Sequence, residues 1–168
     1  MSRFYRVSFM TSGERRPTIS SGLDGNGLRV GVVRAEWNSV IVDRLTEGIA
    51  RGLSEMNAAL VGPISVPGCF ELPLACQALA VSGTVDAVVA TGVVIRGETT
   101  HYEIVSDAAA SGIQAVQLAT GVPIAFGVLT VESDKQALER SQGQGEHNVG
   151  EEAAVVSVQM VRLLEEYK

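Results

Sequence analysis

Cationic charge is scarce in this chain: 13 Lys and Arg stand against 19 Asp and Glu, a net charge of −6. Affinity for nucleic-acid phosphates needs the opposite balance, so no nucleic-acid partner is expected. Long apolar runs are missing as well. Nothing approaches the roughly 20 residues that span a bilayer, and the opening Met1-Ser-Arg-Phe-Tyr-Arg-Val-Ser-Phe-Met10 lacks a clear apolar core followed by a small-residue cleavage site. The expectation is a cytoplasmic protein with no membrane partner. Cysteine amounts to Cys69 and Cys76, seven apart and without Cys-x-x-Cys spacing, which reads as two reduced thiols rather than a zinc or redox site. Also absent are a Gly-x-x-x-x-Gly-Lys-Ser/Thr phosphate loop, a Gly-x-Gly-x-x-Gly, a nucleophile elbow and a His-Glu-x-x-His. Metal-dependent and nucleotide-dependent enzymes therefore rank low.

What the chain does have is length for one sizeable core, 168 residues with no composition break after the first segment. Residues 1–27 mix polar side chains and glycines without a sustained period and read as a mobile, mostly irregular arm, with the folded domain over 28–168. From Leu28 the pattern changes. A short apolar strand over 28–33 is followed by a stripe at Ile41, Leu45, Ile49, Leu53 and Met56, one face of a helix. The alternation continues with a strand over 60–66, a helix over 71–81 with Pro73 in its first turn, and a strand over 85–94. A helix over 101–119, a strand over 123–130, a short helix over 134–140 and a last helix over 150–166 complete it. Val156, Met160, Leu163 and Tyr167 are the expected buried stripe of that last helix.

Strands alternating with helices, one of them apolar on both faces, imply a parallel four-stranded sheet covered on both sides. The expected fold class is α/β, a three-layer α/β/α, flavodoxin-like doubly wound sheet. Ligands of such sheets bind outside the carboxyl ends of the strands.

Those ends carry Glu36-Trp37-Asn38-Ser39, Pro67-Gly68-Cys69-Phe70-Glu71, Ile95-Arg-Gly-Glu-Thr-Thr-His101 and Thr130-Val-Glu-Ser133. An apolar ring wall beside a few placed polar groups is the composition of a small-molecule pocket. Trp37 either packs at a helix edge or presents a stacking platform, and its place directly after a strand favours the platform. Glu71 either complements a helix dipole or accepts hydrogen bonds from substrate hydroxyls. Gly97, Glu98, Thr99 and Thr100 lead into a helix, where free N–H groups and hydroxyls suit a phosphate, although a threonine there also serves as an ordinary N-cap. His101 begins the same helix and is either structural or a proton carrier near neutral pH. Arg140, beside the Ser141-Gln-Gly-Gln-Gly145 segment, is either a solvated charge or a bidentate phosphate ligand.

Val66-Pro-Gly-Cys-Phe-Glu-Leu-Pro73, Gly92-Val-Val-Ile-Arg-Gly-Glu-Thr-Thr-His-Tyr102, Gly121-Val-Pro-Ile-Ala-Phe-Gly-Val-Leu-Thr130 and Gln136-Ala-Leu-Glu-Arg140 together resemble the motifs of the lumazine synthase family. Asp24-Gly-Asn-Gly-Leu-Arg-Val-Gly-Val-Val33 and Trp37-Asn38 are similar to the family's opening strand and ring-stacking aromatic, so the likeness runs from about Leu28 to the C-terminus. It implies a transferase of riboflavin biosynthesis that condenses a ribitylamino-pyrimidinedione with a four-carbon ketose phosphate, without a cofactor or metal.

By position, the resemblance implies that Trp37 stacks on the pyrimidine and that Cys69, Phe70 and Glu71 hold the ring edge and ribityl chain. Val93, Val94 and Ile95 would border the pyrimidine, and Phe126 would complete the pocket from a neighbouring subunit. Gly97, Glu98, Thr99 and Arg140 would bind the phosphate, and His101 would transfer protons. The implied partners are small-molecule substrates, further copies in a homopentamer, in some members twelve pentamers forming a sixty-subunit shell, and a riboflavin synthase in functional association. Two departures from the family pattern stand out: Val149 replaces a lysine in a longer loop, and Glu36 stands where arginine is frequent. An archaeal-type riboflavin synthase and a non-catalytic lumazine- or flavin-binding shell protein are the competing readings. A dismutation of lumazine has no phosphate to hold, and a mere binder has no need of His101 or Arg140.

Overall fold

Residues Ala87–Ile95 are buried along almost their whole length, which only a strand covered on both faces and paired on both edges can be. The computed structural model, which describes residues 19–167, places this strand, β3, inside a parallel sheet of order β2-β1-β3-β4. The others are β1 (Arg29–Ala35), β2 (Ala59–Val66) and β4 (Ile124–Val131). Helices α1 (Ser39–Glu55), α2 (Leu72–Val81), α3 (His101–Thr120), α4 (Asp134–Glu139) and α5 (Val149–Glu165) alternate with them. The expected three-layer doubly wound sheet is the observed architecture.

Alternation along the strands divides the core. Val33, Val88, Ala90 and Val94 face α2 and α3, while Val30, Val32, Ala87 and Val89 face α1 and α5. The α1 stripe of Ile41, Leu45, Ile49, Leu53 and Met56 is buried throughout. Each such side chain removed from water contributes roughly 1.5–3 kcal/mol. β2 is an edge strand and most of it is exposed. Its register against β1 slips between Gly31 and Val33, opposite Gly62 and Pro63, and an edge tolerates the missing proline N–H.

The last helix packs differently from the expected stripe. Met160, Leu163 and Tyr167 are exposed and Val156 is half-buried, whereas Ala153, Ala154, Val155, Ser157, Val158 and Val161 are buried. The cause lies across the interface: a Cβ on Gly52 of α1 would stand 3.1 Å from the Ala154 Cβ. The two helices approach closely there, so a small residue, Ala154, faces α1, while Val155, Val158 and Val161 supply the larger side chains of the buried face of α5.

Of the expected arm, residues 1–18 lie outside the described residues. Residues 19–27 form neither helix nor strand but are anchored: Ile19 and Leu23 pack on the core, Gly25 N–H donates to the Met56 carbonyl at 2.6 Å, and the Arg162 guanidinium donates to the carbonyls of Asp24 and Asn26, each at 2.9 Å.

Candidate functional site

In the order β2-β1-β3-β4 the chain runs outward from β1 in one direction and from β3 in the other, so the crevice of the doubly wound sheet opens between the carboxyl ends of these two strands. Trp37 and Asn38 follow β1 there. The Glu36 N–H donates to the Val66 carbonyl at 2.9 Å, which holds the end of β1 to β2. Asn38 then turns the chain with φ +59°, a left-handed conformation that asparagine tolerates better than most side chains. Its carbonyl accepts the N–H groups of Ile41 and Val42 and so starts α1, while its side-chain amide reaches the Val93 carbonyl at 3.5 Å, across the crevice. The turn throws the Trp37 indole outward, 73% exposed.

Glu71 approaches the same place from the loop after β2. A Cβ on Gly68 would lie 3.5 Å from the Trp37 Cδ1 and 3.2 Å from a Glu71 carboxylate oxygen, so indole edge and carboxylate converge over the glycine. The 3-10 turn Cys69–Glu71 delivers Glu71 at the start of α2, and Phe70 lies exposed beside it. Cys69 points inward instead. A Cβ on Gly92 would stand only 2.5 Å from its Sγ, and burial pushes the thiol up to about 11, with the neighbouring Glu71 charge adding to the rise and a Val93 backbone hydrogen bond opposing it. Cys69 is thus a neutral packing group that carries its two exposed neighbours.

Val93 and Val94 send their side chains into opposite cores, Val93 toward α1 and Val94 toward α2 and α3, so what they present along the crevice is chiefly main chain. Ile95 is partly buried. After β3, residues Gly97, Glu98, Thr99 and Thr100 are exposed, and the Thr99 hydroxyl accepts the His101 N–H at 3.4 Å. A Cβ on Gly97 would meet nothing within 4 Å, so the turn is open on that side. His101, also exposed, is the first residue of α3.

A cleft of about 740 Å³ flanks Trp37 on the side of α1 and α4, within the usual size for a small-molecule site. Glu36, Asn38, Ser39, Val40, Pro67 and Asp134 are among its lining, but Glu71 and residues 97–101 are not. In a single chain the crevice is therefore two adjoining surfaces rather than one enclosed pocket.

Two of the expected residues stand apart. Phe126 pairs with Ala90, five positions before Ile95 in the register of β3, and at a rise of about 3.3 Å per residue it sits roughly 16 Å from the rim. It is 40% exposed. Arg140, which ends α4, donates to the Gln136 carbonyl at 3.1 Å and lies 3.9 Å from the Glu139 carboxylate. Among the described residues no ion pair joins it to Glu98. Among them, too, no group of three or more His, Cys, Asp or Glu is gathered as metal ligands, and no helix is long and apolar enough to cross a membrane.

Sequence reasoning passed over Asn38 and Arg96. The signal for Asn38 was present in its residue type, a polar residue between a strand end and a helical stripe. Arg96 stands directly after a buried strand and beside the glycine and threonines of the 97–100 segment, but its residue type alone does not tell a structural ion pair from a ligand contact.

The sequence model of the 6,7-dimethyl-8-ribityllumazine synthase family matches residues 27–165. The chain belongs to that family. It is 46% identical to the 6,7-dimethyl-8-ribityllumazine synthase of Kocuria rhizophila over 145 residues, 85% of this chain and 92% of that protein. The enzyme of the same name from Kineococcus radiotolerans is 46% identical over 151 residues, 89% and 92% of the two chains, and that of Cutibacterium acnes 45% over 149 residues, 88% of each. As a lumazine synthase family member the chain is a transferase of riboflavin biosynthesis acting on small molecules.

Proposed function

We propose that this chain condenses 5-amino-6-(D-ribitylamino)uracil with 3,4-dihydroxy-2-butanone 4-phosphate to 6,7-dimethyl-8-ribityllumazine, releasing one phosphate and two waters. The single observation that carries the site assignment is the meeting of Trp37 and Glu71 over Gly68 at the β1–β3 crevice, one strand end from the open turn at 97–100. The indole stacks on the pyrimidine, the Glu71 carboxylate accepts ribityl hydroxyls, and Cys69, Phe70, Val93, Val94 and Ile95 frame the ring, largely through main chain. Gly97, Glu98, Thr99 and Arg140 hold the phosphate, and Phe126 enters from a neighbouring copy.

The reaction opens with attack of the 5-amino nitrogen on the ketone and loss of water to an imine. Elimination of phosphate follows, and the ribityl-bearing nitrogen closes the ring on the remaining carbonyl with loss of the second water. Each step moves a proton, which His101 carries. Otherwise the protein contributes register between two reactants, a large term for a condensation.

Exposed Leu74, Val81, Ile104 and Leu118 on the α2–α3 side support a homo-oligomer, since a lone soluble chain seldom shows so much apolar surface. The pentamer is the proposed unit, with the twelve-pentamer shell, a cytoplasmic location, association with a riboflavin synthase and a domain boundary near 27/28 as further parts of this reading. The phosphate-directed turn sets it against the dismutation of an archaeal-type riboflavin synthase. Incubation of the protein with the two substrates tests the whole: a fluorescent lumazine appears with stoichiometric inorganic phosphate. Absence of both refutes the function, and a solution mass equal to one 17.7 kDa chain refutes the assembly.

A further inference from the structure

Arg96 follows Ile95 at the end of β3, and its side chain reaches both the end of β4 and the first turn of α3. Its backbone N–H donates to the Val131 carbonyl at 2.9 Å, which carries the β3–β4 pairing one step beyond the strand. Its Nε lies 2.8 and 3.1 Å from the two carboxylate oxygens of Glu132, just past β4. Its Nη1 is paired with Glu103 in the first turn of α3, and the guanidinium carbon lies 4.1 Å over the Tyr102 ring. One side chain, placed where residues 97–100 begin, thus ties the end of β4 to the first turn of α3, the helix into which those residues lead.

Within that turn the described bonds are few: Thr99 Oγ1 accepts the His101 N–H, and Thr100 caps α3 with its carbonyl and no side-chain bond. The placement of the turn therefore depends on what grips its ends. Two carboxylates on one guanidinium also satisfy its charge. Their hydrogen bonds, Glu103 before Glu132, raise the Arg96 pKa well above the ordinary arginine value, and Arg96 in return holds Glu103 below the usual carboxylate range. Arg140 differs, since it has a carbonyl partner and a carboxylate only at 3.9 Å.

We infer that Arg96 is a positioning residue for the phosphate turn, acting through Glu103 and Glu132 rather than by touching the phosphate; this rests on the reading of Gly97, Glu98 and Thr99 as that cradle. Exposed ion pairs contribute little to stability, but a turn misplaced by an ångström loses much of its effect on the reaction. The consequence is a defect confined to one substrate.

Steady-state kinetics of Arg96→Gln, Arg96→Lys and Glu103→Ala, with each substrate varied in turn, separate the cases. Arg96→Gln raises KM for the ketose phosphate roughly tenfold or more and leaves that of the pyrimidine within about twofold. Arg96→Lys recovers only part, because a point charge cannot bridge two carboxylates and stack on a ring. Glu103→Ala is decisive, because the two roles predict opposite signs. A positioning Arg96 loses an anchor, and KM for the ketose phosphate rises although a negative charge near an anion has been removed. A phosphate-binding Arg96 is released from its carboxylate, and KM falls. A fall, or no change, overturns the proposal, as does a general loss in which both KM values rise together. Failure of the underlying reading is distinct, since the unaltered protein would then form no lumazine at all.

Discussion

The side chain of Asn148 donates to the carbonyl of Arg44, 3.0 Å away and 104 positions earlier in the chain. It also donates to the Gln142 carbonyl at 2.8 Å and accepts the Glu151 N–H at 3.2 Å, which caps α5. One buried amide therefore fastens α1, the loop over 141–148 and the start of α5. The loop in turn receives Arg140, whose carbonyl accepts the Val149 N–H at 2.9 Å. The departure of Val149 from the family's lysine leaves this main-chain frame intact, because the frame uses its N–H and not its side chain.

Asn148→Ala removes a helix cap and strips the Gln142 carbonyl of its donor, while the Arg44 carbonyl, inside α1, keeps its helical partner. A carbonyl left without a partner costs about 1–3 kcal/mol when buried, and a lost cap typically about 1 kcal/mol. The expected result is a fall of roughly 2–4 kcal/mol in stability, read as a lower urea midpoint at fixed protein concentration. A midpoint equal to that of the unaltered protein contradicts the three-way role.

Cys69 and Cys76 are both buried, and burial lifts their thiols to about 11 and about 12. The thiolate is the reactive form, so at pH 8 the folded protein resists alkylation at both positions while urea exposes them together. The folded pKa values lie above the unfolded value of 9.0. The folded state therefore binds these protons more tightly, and the stability they contribute is complete below about pH 9 and declines as pH rises toward 11 and 12. Urea midpoints at pH 8 and pH 10 test the sign. Rapid labelling of the native protein at pH 8 refutes the burial.

The contrast between α1 and α5 explains how much of this fold was legible beforehand. In α1 the large apolar residues Ile41, Leu45, Ile49, Leu53 and Met56 are themselves the buried face, so their period reports burial directly. In α5 the buried face mixes Ala153, Ala154 and Ser157 with Val155, Val158 and Val161; Ala154 meets Gly52 of α1 and Ala153 meets Gly127 of β4, and no feature of α5 alone announces those partners. The site divides in the same way. Trp37, Glu71 and His101 were visible as rare or charged residues after strands. The inward turn of Cys69, the reach of Asn38 to Val93 and the double grip of Arg96 are relations between distant segments, set by the switch in strand order rather than by spacing.

Trp37 is the only tryptophan of the chain, and its indole stands clear of the core. Stacking of the pyrimidine on it quenches intrinsic fluorescence in a saturable way, so a titration reads the site directly. Replacement Trp37→Ala removes an aromatic contact worth about 0.5–1.5 kcal/mol, so KM for the pyrimidine rises about two- to tenfold. The ketose phosphate KM stays near its original value. Unquenched fluorescence at saturating pyrimidine contradicts the platform.

His101 opens α3 one residue after the turn assigned to the phosphate, so its loss addresses proton transfer with least disturbance to binding. The residue is exposed, and its backbone N–H donates to the Thr99 hydroxyl, a bond that alanine retains. His101→Ala therefore folds normally and still quenches Trp37 on addition of pyrimidine. A general acid–base group contributes on the order of 10²-fold or more to rate, while holding two reactants in register contributes the larger share to a condensation. The variant accordingly turns over on the order of 10²-fold more slowly with both KM values little changed, and lumazine still forms measurably above the uncatalysed rate. Unaltered kcat removes His101 from the proton path. A complete loss of the reaction instead assigns it more than proton transfer, because register alone then fails to sustain catalysis.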